Sequence, residues 1–201
     1  MGNDPASKAL AVVRKTGLTR PRDLSAAGVP TWALYQLLKD DAIKQVGRGL
    51  YCTPEYSPTE HFSYAEALKR VPNGILCLVS ALRFHELTVQ NPQEVWIAVP
   101  RTAWRPKSPG IKLRICRFSG ESLTAGVEQR LIEGVSFRVT SVARTVADCF
   151  KYRNKIGLDV ALEALHEGWR KKRFTMDEFW RYAKLDRITR IVLPYLETLS
   201  S

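Results

Sequence analysis

Apolar residues recur at helical spacing through the N-terminal part of the chain. Leu34, Leu37 and Leu38 stand at i, i+3, i+4 and share one face of a helix from Thr31 to about Lys39. Trp32, Tyr35, Gln36 and Lys39 fall on the opposite face, which therefore carries two rings, an amide and a cation. Before it, Pro5 to Thr16 predicts a first helix with Leu10 and Val13 facing inward, stopped by Gly17. Thr19 reads as the N-cap of a second helix with Pro21 in its first turn and Gly28 at its exit. Pro30 disfavours helix at Val29 and separates the second helix from the third, which Thr31 is expected to cap. Ile43, Val46, Leu50 and Tyr51 supply the apolar side of a hairpin with Gly47, Arg48 and Gly49 near its tip.

The pattern changes after Thr53. Pro54 to Pro58 holds two prolines in a short polar stretch and reads as a linker, which divides the chain into domains at 1–55 and 56–201. Ser63 and Glu66 have capping-box spacing and open a helix to about Val71. After a turn at Pro72, Asn73 and Gly74, the mostly apolar run from Ile75 to about Glu86 reads as a buried helix. Glu94 to Val99 and Lys112 to Phe118 read as strands, separated by a basic loop from Arg101 to Gly110. Val127 to Val139 resembles a hairpin turning at Glu133 and Gly134. From Ser141 the chain reads as helical to its end. One stripe is Val142, Val146 and Phe150, and another is Leu158, Ala161, Leu162, Leu165 and Trp169. Thr175 and Glu178 form a second capping box, and a last helix from about Thr189 holds Val192, Leu196 and Leu199, with Pro194 inside it. The expected class is α+β: an N-terminal winged helix-turn-helix, then a domain with a small sheet and a helical C-terminal layer.

Composition adds a partner class. The chain has 201 residues with 45% hydrophobic and 25% charged, ordinary for a globular protein. Lys and Arg number 31 against 20 acidic residues, a net charge of +11 that favours a polyanion such as nucleic acid. The excess is spread along the chain and does not locate a surface. The four cysteines lack CxxC spacing and the three histidines do not cluster with them, so buried reduced thiols are expected rather than a zinc site. No apolar run is long enough for a membrane span and no signal peptide is recognised, so a cytoplasmic protein without a membrane partner is expected.

Three short helices and a basic hairpin form the expected anatomy of a winged DNA-binding head. Gln36 is then the candidate for a base edge and Lys39 for phosphate, with Trp32 and Tyr35 against sugars or thymine methyls and Thr31 at the helix start. The opposing possibility is that Trp32 folds back onto the hairpin as core. Arg20 and Arg22 begin the second helix, where backbone phosphate is met, and Lys44 and Arg48 lie on the hairpin.

In several blocks the whole chain resembles the AbiEi antitoxins of bacterial type IV toxin–antitoxin systems. They are the hairpin ending Val46 to Tyr51, then Ser80 to Leu87, then Glu94 to Pro100. The most specific is Thr140 to Asp148 followed by Phe150 to Arg153 and Ile156 to Leu162. The resemblance implies a phage-defence protein with two roles. The N-terminal domain would bind operator DNA upstream of its own operon and repress it. The C-terminal domain would counteract a nucleotidyltransferase-like toxin encoded beside it, with no direct toxin complex inferred.

Within that domain, Arg144 and Asp148 stand at i, i+4 on one helix face. They read as a polar site on the surface, as a weak surface ion pair, or as an arginine tying helix to sheet. Lys151, Tyr152, Arg153 and Lys155 form a basic-aromatic cluster that suits a wider DNA footprint, an acidic partner or plain solvation. Arg170 to Arg173 is the densest basic run and complements a helix C-terminus; His85 reads as a satisfied core residue. No catalytic or metal motif is recognised: there is no P-loop, GxSxG or HExxH, and no acidic pattern of a metal-dependent nuclease follows Glu94. A non-enzyme without cofactor is expected. The alternatives are a nuclease targeted by the winged head and a ligand-sensing regulator.

Overall fold

A computed structural model of the chain describes residues 4–104 and 110–197. Leu199 and the Arg105–Pro109 part of the basic loop lie outside the described residues. The chain divides into two compact units. One holds residues 4–72, 110–111 and Leu131–Phe137, and the other holds 73–104, 112–130 and 138–197.

In the first unit, helices α1 (Pro5–Thr16), α2 (Pro21–Ala26) and α3 (Trp32–Lys39) precede a two-stranded antiparallel hairpin of β1 (Lys44–Gly47) and β2 (Leu50–Cys52). Ala9, Val13, Leu24, Val29, Ala33, Leu34, Leu37, Ile43 and Tyr51 make its core, with Leu10 and Leu38 partly buried against it. Gly17 ends α1 at φ +65°, and a Cβ there would lie 2.5 Å from the Glu133 carbonyl oxygen, so both conformation and space demand glycine. Thr19 does not cap α2. It bridges to Tyr51 through two backbone hydrogen bonds of 2.8 and 2.9 Å, extending the hairpin, and Arg20 takes the cap position. There the Asp23 carboxylate accepts the Arg20 amide at 2.8 Å. Thr31 holds the N-cap position of α3 but makes no side-chain cap bond, its backbone being already helical at φ −64° and ψ −28°.

Helix α4 (Phe62–Arg70) belongs to this first unit, so the sequence boundary at 55 falls inside it. The box at Ser63 does not form. The helix starts two residues earlier with His61 at the cap, and the Glu66 carboxylate instead accepts from Arg70 at 2.7 and 3.2 Å.

The second unit is α+β, and residues 131–137, the facing ends of its last two strands and the turn between them, are grouped with the first unit. Strands β3 (Ile75–Leu76), β4 (Val95–Pro100), β5 (Leu113–Phe118), β6 (Val127–Ile132) and β7 (Val135–Thr140) form a mixed sheet in the order β5-β4-β3-β7-β6. β3 runs antiparallel to β4 and parallel to β7, and β4 runs parallel to β5. The expected helix from Ile75 is corrected here. Ile75 and Leu76 are the central strand, and helix α5 (Leu78–Phe84) starts only after Cys77. A strand buried on both faces is apolar throughout, so periodicity could not separate it from the buried helix that follows. Glu133 and Gly134 both take positive φ, 51° and 77°, as a two-residue hairpin turn requires.

Helices α6 (Val142–Lys151), α7 (Arg153–Ile156), α8 (Leu158–Arg170), α9 (Met176–Leu185) and α10 (Thr189–Glu197) complete the unit. Val142, Val146 and Phe150 are buried as the spacing predicts, and Val192 and Leu196 anchor α10. On α8 the buried stripe is Val160, Ala161, Ala164, Leu165 and Gly168, with Trp169 at its exposed edge. The Thr175 box forms in full: the Glu178 amide donates to the Thr175 hydroxyl at 3.2 Å, and the Thr175 amide to the Glu178 carboxylate at 2.8 Å.

Candidate functional site

Burial of Leu34 and Leu37 turns the other face of α3 outward. Trp32 and Tyr35 are 56% and 55% exposed, and Gln36 and Lys39 are exposed with them. Trp32 therefore does not fold back as core. Two large rings left in solvent are costly unless something covers them. Gln36 donates its amide to Asp40 at 3.1 Å, which holds the side chain along the helix. Lys44 is bound to the Pro54 carbonyl at 2.8 Å, and Arg48 projects exposed at the hairpin tip.

A cleft of about 390 Å³ in the first unit is lined by Arg20, Arg22, Arg48 and Arg70, with Pro21 and Gly49. Its cations are braced. Arg20 pairs with Asp23 at 3.1 Å and Lys69 meets the same carboxylate at 3.0 Å. Arg22 donates to the Lys69 carbonyl at 3.2 Å, and Arg70 donates to the Arg48 carbonyl at 3.0 Å. Burial raises the Asp23 carboxyl, but the bonds from Arg20 and Lys69 outweigh it and hold its pKa below the ordinary value. Burial pulls Arg20 below the usual arginine range. Four guanidinium groups line the cleft, and the carboxylates that pair with them or with Lys69 among the described residues are those of Asp23 and Glu66, so cations outnumber carboxylates there. The sequence pattern does not point to Lys69 and Arg70, because the proline-rich stretch from Pro54 to Pro58 separates them from the three helices and the hairpin. A basic ending to a helix was the available signal.

In the second unit the surface readings of Arg144 and Asp148 are overturned, because both side chains are fully buried. Arg144 binds Asp148 through two bonds of 2.8 and 3.1 Å and reaches Asp186 at 3.4 Å. Its guanidinium also lies 5.9 Å from the Phe118 ring centre and 5.8 Å from that of Tyr182. Lys151 closes the network on Asp186 at 2.8 Å. Burial pushes the Asp148 carboxyl up to about 8 against the opposing pull of Arg144. Asp186 was missed because it is distant in sequence and only the tertiary packing of α9 brings it near.

The basic-aromatic cluster divides: Lys151 turns to Asp186 and Arg153 to the preceding helix, while Lys155 stays with Tyr152. Arg153 donates to the Phe150 carbonyl at 2.9 Å, and Lys155 lies 5.4 Å from the Tyr152 ring centre. Tyr152 is half-buried near Phe118, and desolvation raises its phenol pKa. In the run Arg170 to Arg173, Arg170 and Lys171 meet Glu167 at 2.8 and 3.2 Å, while Lys171 and Arg173 donate to the Glu86 and His85 carbonyls. That run is largely spent on its own scaffold. His85 is buried with its Nε2 2.7 Å from the Thr140 carbonyl, and desolvation lowers its pKa, so the neutral ring donates from Nε2. All four cysteines are buried free thiols, with Cys77 and Cys149 pushed up by burial.

Among the described residues no three His, Cys, Asp or Glu side chains are grouped to hold a metal ion, and no helix is long and apolar enough to cross a membrane. A scan of the chain against protein-family models gives no match, and a search of curated proteins finds no similar sequence.

Proposed function

We propose that the chain is a DNA-binding autorepressor and antitoxin acting in the cytoplasm, with the first unit as a winged helix-turn-helix. The observation that carries the DNA half is the α3 face of Trp32, Tyr35, Gln36 and Lys39, exposed over a helix pinned by Leu34 and Leu37. Gln36 has the donor and acceptor pair that reads an adenine edge, and its bond to Asp40 lies exposed at the surface, where it can be exchanged for one. The arginine cleft offers phosphate contacts of the kind that position a protein on a duplex without reading sequence. Repression of its own operon and opposition to a nucleotidyltransferase-like toxin rest on the resemblance of Thr140 to Leu162 to the AbiEi antitoxins.

Titration of a duplex from the chain's own upstream region, with random duplex as competitor, tests the first half. Gln36→Ala with Lys39→Ala is expected to abolish preference for the upstream duplex. Specific binding that survives both substitutions would sink the assignment of α3. Co-expression with the neighbouring nucleotidyltransferase-like gene tests the second half. The intact chain is expected to restore growth, and a chain without residues 73–201 is not.

A further inference from the structure

The sheet of the second unit ends at β5, and among the described residues no strand pairs with the outer edge of β5. Val95 donates its amide to the Lys112 carbonyl, and Arg101 donates to that of Phe118. These bonds turn the even-numbered residues of β5 toward β4. Strand alternation then turns the backbone N–H and C=O of Leu113, Ile115 and Arg117 outward in a parallel edge, where no backbone group among the described residues pairs with them. A cleft of about 660 Å³ runs along this edge, lined by every residue from Leu113 to Arg117, with Glu94 and Trp96 of β4 and Asn154 and Lys155 of α7. Three cations therefore border one strand edge, against the single carboxylate of Glu94, which lies 3.8 Å from Arg114. The cations are held in place. Arg114 stands over the Trp96 ring at 5.4 Å, Arg117 donates to the Pro100 and Ala103 carbonyls, and Lys155 stands over Tyr152. The opposite edge strand, β6, is different: its Glu128 and Arg130 neutralise each other at 2.5 Å.

We infer that an extended acidic segment of a partner protein adds to β5 as a sixth strand. The outward backbone groups would supply the hydrogen bonds, and Arg114, Arg117 and Lys155 would select carboxylate-bearing residues. Charged residues also guard edge strands against pairing; here the open cleft beside the strand leaves room for a further strand. A continuous run of strand residues along the cleft suits an extended occupant better than a compact one.

The full-length protein is titrated by fluorescence anisotropy with a short labelled peptide alternating valine and glutamate. The controls are the same peptide N-methylated at alternate residues and a peptide alternating valine and lysine. The acidic peptide is expected to bind, and each control to bind at least about tenfold more weakly. Arg114→Glu with Lys155→Glu is expected to weaken the acidic peptide by a similar factor while leaving the far-ultraviolet circular dichroism spectrum and melting temperature unchanged, which confirms that the variant folds. Amide exchange at Leu113, Ile115 and Arg117 is expected to slow on binding. Failure of the acidic peptide to bind overturns the inference. Equal binding of the N-methylated peptide also overturns it, since charge alone would then hold the ligand. So does slowing of those three amides by a single-stranded oligonucleotide when the peptide leaves them unchanged.

Discussion

Arg144 is among the largest fully buried side chains of the protein, and inside the second unit it faces the carboxyl groups of Asp148 and Asp186. A buried pair of this kind gains Coulomb energy but bears a heavy desolvation cost, so its net contribution to stability is small while its disruption is not. Burial of Asp148 is the dominant effect on its carboxyl and raises it to about 8. The folded state then keeps a proton that the unfolded chain releases near its ordinary carboxyl pKa of about 4. A raised folded pKa adds stability at low pH that is lost as pH rises toward 8. Urea unfolding of the wild type at pH 6 and pH 8, compared with Asp148→Asn, reads this directly. The wild type is expected to lose stability relative to the variant over that interval. A pH-independent difference between the two would show that Asp148 is ionised throughout, with Arg144 winning over desolvation.

In the proposed function, helix α3 and the arginine cleft would divide DNA recognition between two kinds of contact, and the division is measurable. A base-edge contact from Gln36 is worth about 1–3 kcal/mol of discrimination. A phosphate contact from Arg48 carries no discrimination but releases about one counterion. Arg48→Ala is therefore expected to weaken upstream and random duplexes alike and to lower the salt slope of log K by about one. Gln36→Ala is expected to leave the slope unchanged and to narrow the gap between the two duplexes. Measuring both affinities across a salt series checks the assignment. A specificity loss from Arg48→Ala would move the hairpin from backbone to base contact.

At the scale of the whole molecule, α4 is the element that redraws the division of the chain. Lys69 reaches Asp23 of α2, and Arg70 binds the hairpin carbonyl of Arg48. A fragment of residues 1–72 is expected to unfold cooperatively on heating, followed by circular dichroism, and a fragment of 1–55 to show a broader, lower transition. Equal transitions would show that α4 adds nothing to the first unit. The longer fragment also lacks the Glu133 side chain, which accepts from the Thr59 amide at 2.7 Å, so it should melt below the intact chain.

Local signals settled much of this protein. The periodicity of Leu34, Leu37 and Leu38, the stop at Gly17, the turn at Glu133 and Gly134 and the box at Thr175 and Glu178 each act within a few residues, and each is where the pattern put it. The exposed face of α3 was legible for the same reason, because a helix with one apolar stripe fixes the direction of the other side. Tertiary structure alone decided the rest. Ile75 and Leu76 became the central strand because partners far along the chain, Ala98 and Arg138, lie on either side of Ile75. Thr19 became a bridge rather than a cap because Tyr51 offered its backbone. Arg144 and Asp148 sit at ordinary helix-surface spacing, yet packing around α6 and the arrival of Asp186 buried them. The spacing of residues sets which of them share a face; it does not set what that face meets.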